Sequence, residues 1–153
     1  MTPVQSRNAA YALALIVPAA LMGGALVSQY GFGLFPCEMC WWQRYPHFAA
    51  FALGLVAYVA KPPQVWTALA GLAILTSGLI GGFHAGVEYG WWEGITGCST
   101  LPRSIDVMNP LAAPLIRCDV APWTLFGISL AGFNFLISSV SGAAIVALAA
   151  YRK

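Results

Sequence analysis

The chain has 153 residues, 59% hydrophobic and 8% charged, against about 45–50% and about 25% in ordinary soluble domains, which excludes a water-soluble globular domain. A mean hydropathy of +0.75 excludes disorder, and a net charge of +2 without any basic run excludes a nucleic-acid partner. A hydrocarbon core about 30 Å thick takes roughly 20 apolar residues per helical crossing, so the length allows about four crossings in one membrane domain spanning residues 1–153.

The first apolar run predicts a helix over about 9–28. Its apolar stretch from Tyr11 to Val27 exceeds the roughly 7–15 residues of a cleaved leader, and no Ala-x-Ala site follows. Pro18 within it is a kink that neighbouring helices tolerate. A loop over about 29–40 carries Cys37-Glu38-Met39-Cys40, and a second helix follows over about 41–60. Beyond the Lys61-Pro62-Pro63-Gln64 turn a third helix runs over about 65–87, then a longer loop over 88–124 holds Cys98 and Cys118, and a fourth helix covers 125–150. These runs are continuously apolar, without the alternation of barrel strands. The expectation is therefore an all-α membrane protein, a four-transmembrane-helix bundle with two outer loops.

Arg7, Lys61, Arg152 and Lys153 cluster at one side with no acid, whereas Arg44, Arg103 and Arg117 share the other with Glu38, Glu88, Glu93, Asp106 and Asp119. The positive-inside bias puts both termini in the cytoplasm and every cysteine outside. Between Cys98 and Cys118, Pro102, Pro110 and Pro114 forbid one long helix. A short amphipathic piece on the membrane surface is expected there, leaving the two cysteines on mobile arms.

The four cysteines carry the chemical signal. Two structural disulfides in an oxidising compartment are one reading, and a Cys98–Cys118 closure is worth about 3 kcal/mol on the chain-entropy estimate. A disulfide between Cys37 and Cys40 closes too small a loop to staple much, and Cys-x-x-Cys spacing is a recurrent redox arrangement. A four-cysteine zinc site usually pairs two short-spaced motifs, and Cys98 and Cys118 stand twenty apart; no metal is expected. Four cysteines allow three pairings, and the sequence alone leaves them open.

Pro36 suits the first turn of a helix, which places Cys37, Cys40 and Arg44 at i, i+3 and i+7 on one face. A Cys40 thiolate would feel both the helix N-terminus and Arg44, with Glu38 opposing. Arg44 stands about 25 Å along its helix from Lys61, near the core boundary, a depth that also suits a snorkelling anchor. His84 lies about 30 Å above Gln64, level with Arg44, and shares a face with Glu88 at i, i+4. Ionisable groups at that depth are costly unless paired or used, which makes this cluster a candidate site. His47 reads more readily as a core or interfacial histidine, and Asn134 as an interhelical hydrogen-bonder. Gly78, Gly82 and Gly86 predict a close helix contact, and Trp41, Trp42, Tyr45, Trp91 and Trp92 an interfacial belt.

The string Pro-Cys-Glu-Met-Cys-Trp-Trp-Gln-Arg at 36–44, the isolated second pair, and Arg-Cys-Asp at 117–119 followed by Trp-Thr-Leu-Phe-Gly-Ile-Ser resemble the disulfide bond formation protein B (DsbB) family over almost the whole chain. The resemblance implies an enzyme of the bacterial inner membrane that reoxidises a periplasmic DsbA-like thioredoxin-fold protein and passes the electrons to a quinone, ubiquinone or menaquinone. It implies catalytic roles for all four cysteines. Cys98 is attacked by the partner, Cys118 is its disulfide mate, Cys40 forms the quinone adduct, and Cys37 is the resolving thiol. It further implies quinone-binding roles for Arg44 and His84. The family's His followed four residues later by Gln is His84 with Glu88 here, a departure that changes what the second residue can donate. A vitamin K epoxide reductase type would carry Cys-x-x-Cys near the outer end of the last helix, where this chain has no cysteine. A non-catalytic tetraspan scaffold would keep both pairs as permanent disulfides.

Overall fold

The computed structural model describes residues 2–99 and 116–150. Four helices, α1 (Pro3–Phe32), α2 (Glu38–Val59), α3 (Pro63–Glu88) and α4 (Leu130–Ala150), form the body. A 3-10 turn at Gly97–Ser99 and a two-stranded antiparallel ribbon, β1 (Thr124–Leu125) with β2 (Ile128–Ser129), lie between α3 and α4.

Local chemistry sets each boundary. Before α1, the Thr2 hydroxyl accepts from Gln5 N at 3.3 Å while Gln5 Oε1 accepts from Thr2 N at 2.8 Å, a reciprocal capping box that starts the helix earlier than its apolar run. Gly33, at φ +69°, ends it in the left-handed conformation that glycine adopts without steric cost. Cys37 caps α2, its sulfur accepting Cys40 N at 3.2 Å, so the helix begins at Glu38 rather than 41. Pro36 thus precedes the cap instead of occupying the first turn.

The expected start of the last helix at 125 is corrected to Leu130. Phe126 (φ 53°) and Gly127 (φ 78°) form a two-residue reversal between the strands, the backbone of a type I′ hairpin turn. Leu125, Phe126 and Ile128 look apolar enough to extend the helix, but the chain reverses there. The expected amphipathic piece, with Arg103 and Asp106, lies outside the described residues.

The interior is inverted relative to a water-soluble bundle, where large aliphatic side chains go inside. Small residues line the contacts, including Ala10, Ala14, Ala50, Ala57 and Ala70, while Ile16, Val27, Leu55, Val59, Leu79 and Val140 are exposed. Small residues inside, with apolar bulk outside, are how helices pack in lipid. α1, α3 and α4 are each long and apolar enough to cross a membrane. α2, with 22 residues, has the length for about 33 Å, but carries Gln43, Arg44 and His47 buried in its first half.

The α3–α4 interface brings backbones together. A Cβ on Gly78 would stand 2.8 Å from Ser139 N, and one on Gly82 would meet the Phe135 ring at 2.8 Å. Gly86, expected in the same contact, instead makes room for the Trp92 indole, which donates to Phe83 O at 2.9 Å and stacks on the Phe83 ring. At the far end of the bundle, Ser6 Oγ donates to Leu148 O and Tyr11 Oη to Ala57 O, both at 2.9 Å. The start of α1, the end of α2 and the end of α4 therefore lie together, opposite the cysteines.

Candidate active site

Cys37 and Cys40 open α2 with their sulfurs 2.9 Å apart, both as free thiols. Cys98 and Cys118 form a disulfide. Cys118 is completely buried, packed with Cys37, Met39 and Val87, with Cys98 beside them. The expectation of two cysteines on mobile arms is thereby corrected: the second pair folds down onto the first. Arg117 spans Cys118 to Asp119, its Nε 2.8 Å from Oδ1 and its Nη2 against Oδ2, a bidentate bracket that fixes the backbone on either side of the sulfur.

Three reactive atoms converge beneath that bracket. Cys37 Sγ, a ring nitrogen of His84 and Cys118 Sγ lie within 4.8 Å of one another, with His84 Nε2 at 3.6 Å from Cys37 Sγ. Metal ligation needs thiolates, and Cys118 offers none while it is bonded to Cys98. In this state the spacing suits sulfur-to-sulfur exchange instead.

The side-chain contact with Cys40, assisted by His84 and opposed by burial, lowers the pKa of the Cys37 thiol from its ordinary value. The sulfur at the cap accepts Cys40 N–H at 3.2 Å, one of the donors that a helix start leaves unpaired, and this favours its charged form. Arg44 reaches sideways rather than toward the cap. Its Nη1 donates to Gln29 Oε1 at 2.7 Å and Nη2 to Ala25 O at 3.4 Å, and its guanidinium lies 5.0 Å from the centre of the Trp41 ring.

Two cavities flank the dithiol. One, of about 250 Å³, opens between α1, α2 and α4 and is lined by Cys40, Arg44, His84, Glu88, Leu21 and Phe133 among others. The second, of about 280 Å³, lies under the segment preceding Cys118 and is lined by Cys37, Cys40, His84, Glu88 and Arg117. Glu88 faces both, with Oε1 3.7 Å from His84 Nε2. All seven residues singled out in the sequence thus fall in or beside one site.

A family model described as disulfide bond formation protein DsbB matches residues 7–148. The chain belongs to the DsbB family. Among the relatives, disulfide bond formation protein B of Verminephrobacter eiseniae is 29% identical over 155 residues, covering 91% of this chain and 84% of that one. Disulfide bond formation protein B 2 of Pseudomonas syringae pv. syringae is 29% identical, over 81% and 77%. An uncharacterised protein of Rickettsia prowazekii is 24% identical, over 74% and 71%. No solved structure matches the chain. Membership of this family makes the protein a membrane disulfide oxidoreductase, consistent with its three apolar helices and its four cysteines.

Sequence reasoning missed two residues that hold the site. Gln43 is buried and bonded to His84 Nδ1 at 2.8 Å, and Gln29 receives Arg44. Gln43 had a usable signal, an uncharged polar side chain in an apolar helix with Met39 and His47 four residues to either side, on one face.

Proposed function

We propose that this protein is a thiol:quinone oxidoreductase of the bacterial inner membrane. It crosses four times with both termini cytoplasmic and holds its cysteines in the periplasm. There it reoxidises a DsbA-like thioredoxin-fold protein and hands the electrons to ubiquinone or menaquinone. The observation that carries this reading is the convergence of Cys118, Cys37 and His84 within 4.8 Å, with a cavity behind Cys40. Membrane-quinone relays of this DsbA–DsbB type are known to keep the periplasm oxidising.

The exchange sequence follows from burial and spacing. A partner thiolate attacks Cys98, the less buried sulfur of its pair, and expels Cys118 as thiolate. Cys118 attacks Cys37 in the oxidised Cys37–Cys40 pair and releases Cys40. The partner's second thiol resolves the mixed disulfide, and the freed Cys98 reclaims Cys118, expelling Cys37. What remains is a Cys98–Cys118 disulfide with a Cys37/Cys40 dithiol, the arrangement seen here. The dithiol then loses two electrons and two protons to the quinone, giving quinol and the Cys37–Cys40 disulfide.

Arg44, His84 and Glu88 line the cavity in which the acceptor would sit. Two of the five guanidinium N–H donors of Arg44 are taken by Gln29 and Ala25, which leaves donors for a carbonyl oxygen. Arg44→Ala is expected to raise KM for quinone at least tenfold, the worth of one charge-assisted hydrogen bond, with KM for the protein partner nearly unchanged. Steady-state kinetics with each substrate varied separately check this; equal changes in both would leave Arg44 a membrane anchor.

The deciding experiment follows quinone absorbance in detergent with purified protein, ubiquinone or menaquinone and a reduced thioredoxin-fold oxidase. Loss of the quinone band with intact protein but not with Cys40→Ala supports the reading. No loss with either quinone would leave the two pairs as structural disulfides.

A further inference from the structure

His84 sits at one end of a buried hydrogen-bond chain that crosses three helices. Gln43 Nε2 is 2.8 Å from His84 Nδ1 and donates to Met39 O at 3.1 Å. Asn134 Nδ2 donates to Gln43 Oε1 at 2.8 Å, and to the Ser77 carbonyl and hydroxyl at 3.1 Å each. Asn134 Oδ1 in turn accepts from Ser138 Oγ at 2.7 Å and lies 3.1 Å from His47 Nε2. Ser77 Oγ donates its own hydrogen bond to Gln43 O at 2.8 Å.

The polarity of this chain is fixed by groups that cannot change sense. A main-chain carbonyl can only accept. The Ser77 carbonyl therefore requires the NH₂ end of Asn134 beside it, which turns the Asn134 oxygen toward Ser138 and His47. The Met39 carbonyl likewise requires the NH₂ end of Gln43, and the Gln43 oxygen is then the atom that meets Asn134. Reversing Asn134 would set its oxygen against the Ser77 carbonyl and Gln43 Oε1, and reversing Gln43 would set its oxygen against the Met39 carbonyl and its NH₂ against that of Asn134, in surroundings where an unmade hydrogen bond is expensive. Gln43 accordingly offers an N–H to His84 Nδ1, and that nitrogen has to be an acceptor.

We infer that Gln43, itself oriented by Asn134 and the Met39 carbonyl, is a positioning residue that locks His84 as the neutral Nε2–H tautomer, so that its only ring N–H faces the Cys37 sulfur, with Glu88 Oε1 3.7 Å away. A doubly protonated ring would place an Nδ1–H against the Gln43 amide hydrogens, so the same contact disfavours the imidazolium. His84 then stabilises a departing or waiting Cys37 thiolate by hydrogen bonding, at 3.6 Å, and does not take up the thiol proton through Nδ1. The inference rests on the reading of Cys37 as a working thiol. The other groups facing Cys37 are the Cys40 thiol on its own helix, Glu88 on α3 and Arg117 before Cys118, with Glu38 next to it in sequence and Arg44 deeper in α2; none of them contacts Nδ1 among the described residues.

The test uses the whole protein in detergent, labelled with ¹⁵N-histidine and assigned with a His84→Gln control. In the unmodified protein the His84 resonances are expected to show a protonated Nε2 and a bare Nδ1 between pH 5 and 8. A proton on Nδ1 would overturn the inference without any variant being made. Gln43→Met, which keeps the volume and removes the amide, is expected to give a mixture of tautomers. It should also raise the pH for half-maximal alkylation of Cys37 by about one unit, a tenfold loss of thiolate on the acid side. Asn134→Leu is expected to move both readouts the same way but less, because the Met39 carbonyl still holds Gln43. An unchanged tautomer and an unchanged Cys37 titration in Gln43→Met would equally overturn it. Neither readout needs quinone or a protein partner, so failure here is separable from failure of the proposed function.

Discussion

Cys37→Ser is expected to turn the protein from a catalyst into a one-shot oxidant. The Cys98–Cys118 disulfide remains intact in this variant, so a reduced thioredoxin-fold partner can still attack Cys98 and leave oxidised, taking one disulfide equivalent per protein molecule. Cys118 is then a thiol with no disulfide to attack, because the pair it would attack is formed through Cys37, whose sulfur lies within 4.8 Å of its own. The expected result is one equivalent of partner oxidised in a fast phase and then no turnover, a loss of at least a thousandfold in steady-state rate with no quinone consumed. Removal of a nucleophile that acts as part of a unit has effects of this size. Thiol counting by mass spectrometry after the fast phase should find Cys98 and Cys118 reduced together. Continued turnover in Cys37→Ser would mean that the Cys118 and Cys40 thiols are joined in a disulfide as the quinone takes their two electrons and two protons, and the assigned order would be wrong.

That experiment depends on a proximity the sequence did not display. The Cys-x-x-Cys spacing, the second pair and the level of His84 with Arg44 were legible because they are local patterns or simple counting along antiparallel helices. The descent of Cys118 onto Cys37 was not, since it depends on how the segment after residue 115 returns to the bundle. The Phe126–Gly127 reversal was hidden for a different reason: its strands are two residues long and apolar, so they read as the first turn of α4. Gln43 shows a third kind of limit. Its polarity was visible, but its partner is 41 residues away, and only the relative rotation of α2 and α3 brings Nε2 to His84. Asn134 is legible as an interhelical hydrogen-bonder, as the structure has it, because any amide in an apolar helix needs a partner, yet nothing in the sequence says that the partner is the residue orienting His84.

Gly142→Val is expected to cost the protein its fold or its activity through that same register. A Cβ at 142 would stand 2.7 Å from Leu75 N, 2.8 Å from Gly71 O and 3.0 Å from Leu75 Cα. All three are main-chain atoms of α3, which no side-chain rotation can move aside, so α3 and α4 must separate or slide. Overpacking of this kind costs about 1–3 kcal/mol or more, and Val adds two methyl groups to the Cβ. Gly142 shares a face with Ser138 and Asn134, four and eight residues earlier on α4, so a shift at 142 also pulls Asn134 away from Gln43 and Ser77. Gly24→Ala is the matched control. Nothing lies within 4 Å of a Cβ there, and replacing a mid-helix glycine by alanine is expected to be neutral or to stabilise by up to about 1 kcal/mol. Denaturant titration of helix content in detergent should place Gly142→Val well below the unmodified protein and Gly24→Ala at or above it. If Gly142→Val kept full stability, the close α3–α4 approach that aligns the hydrogen-bond chain to His84 would not exist.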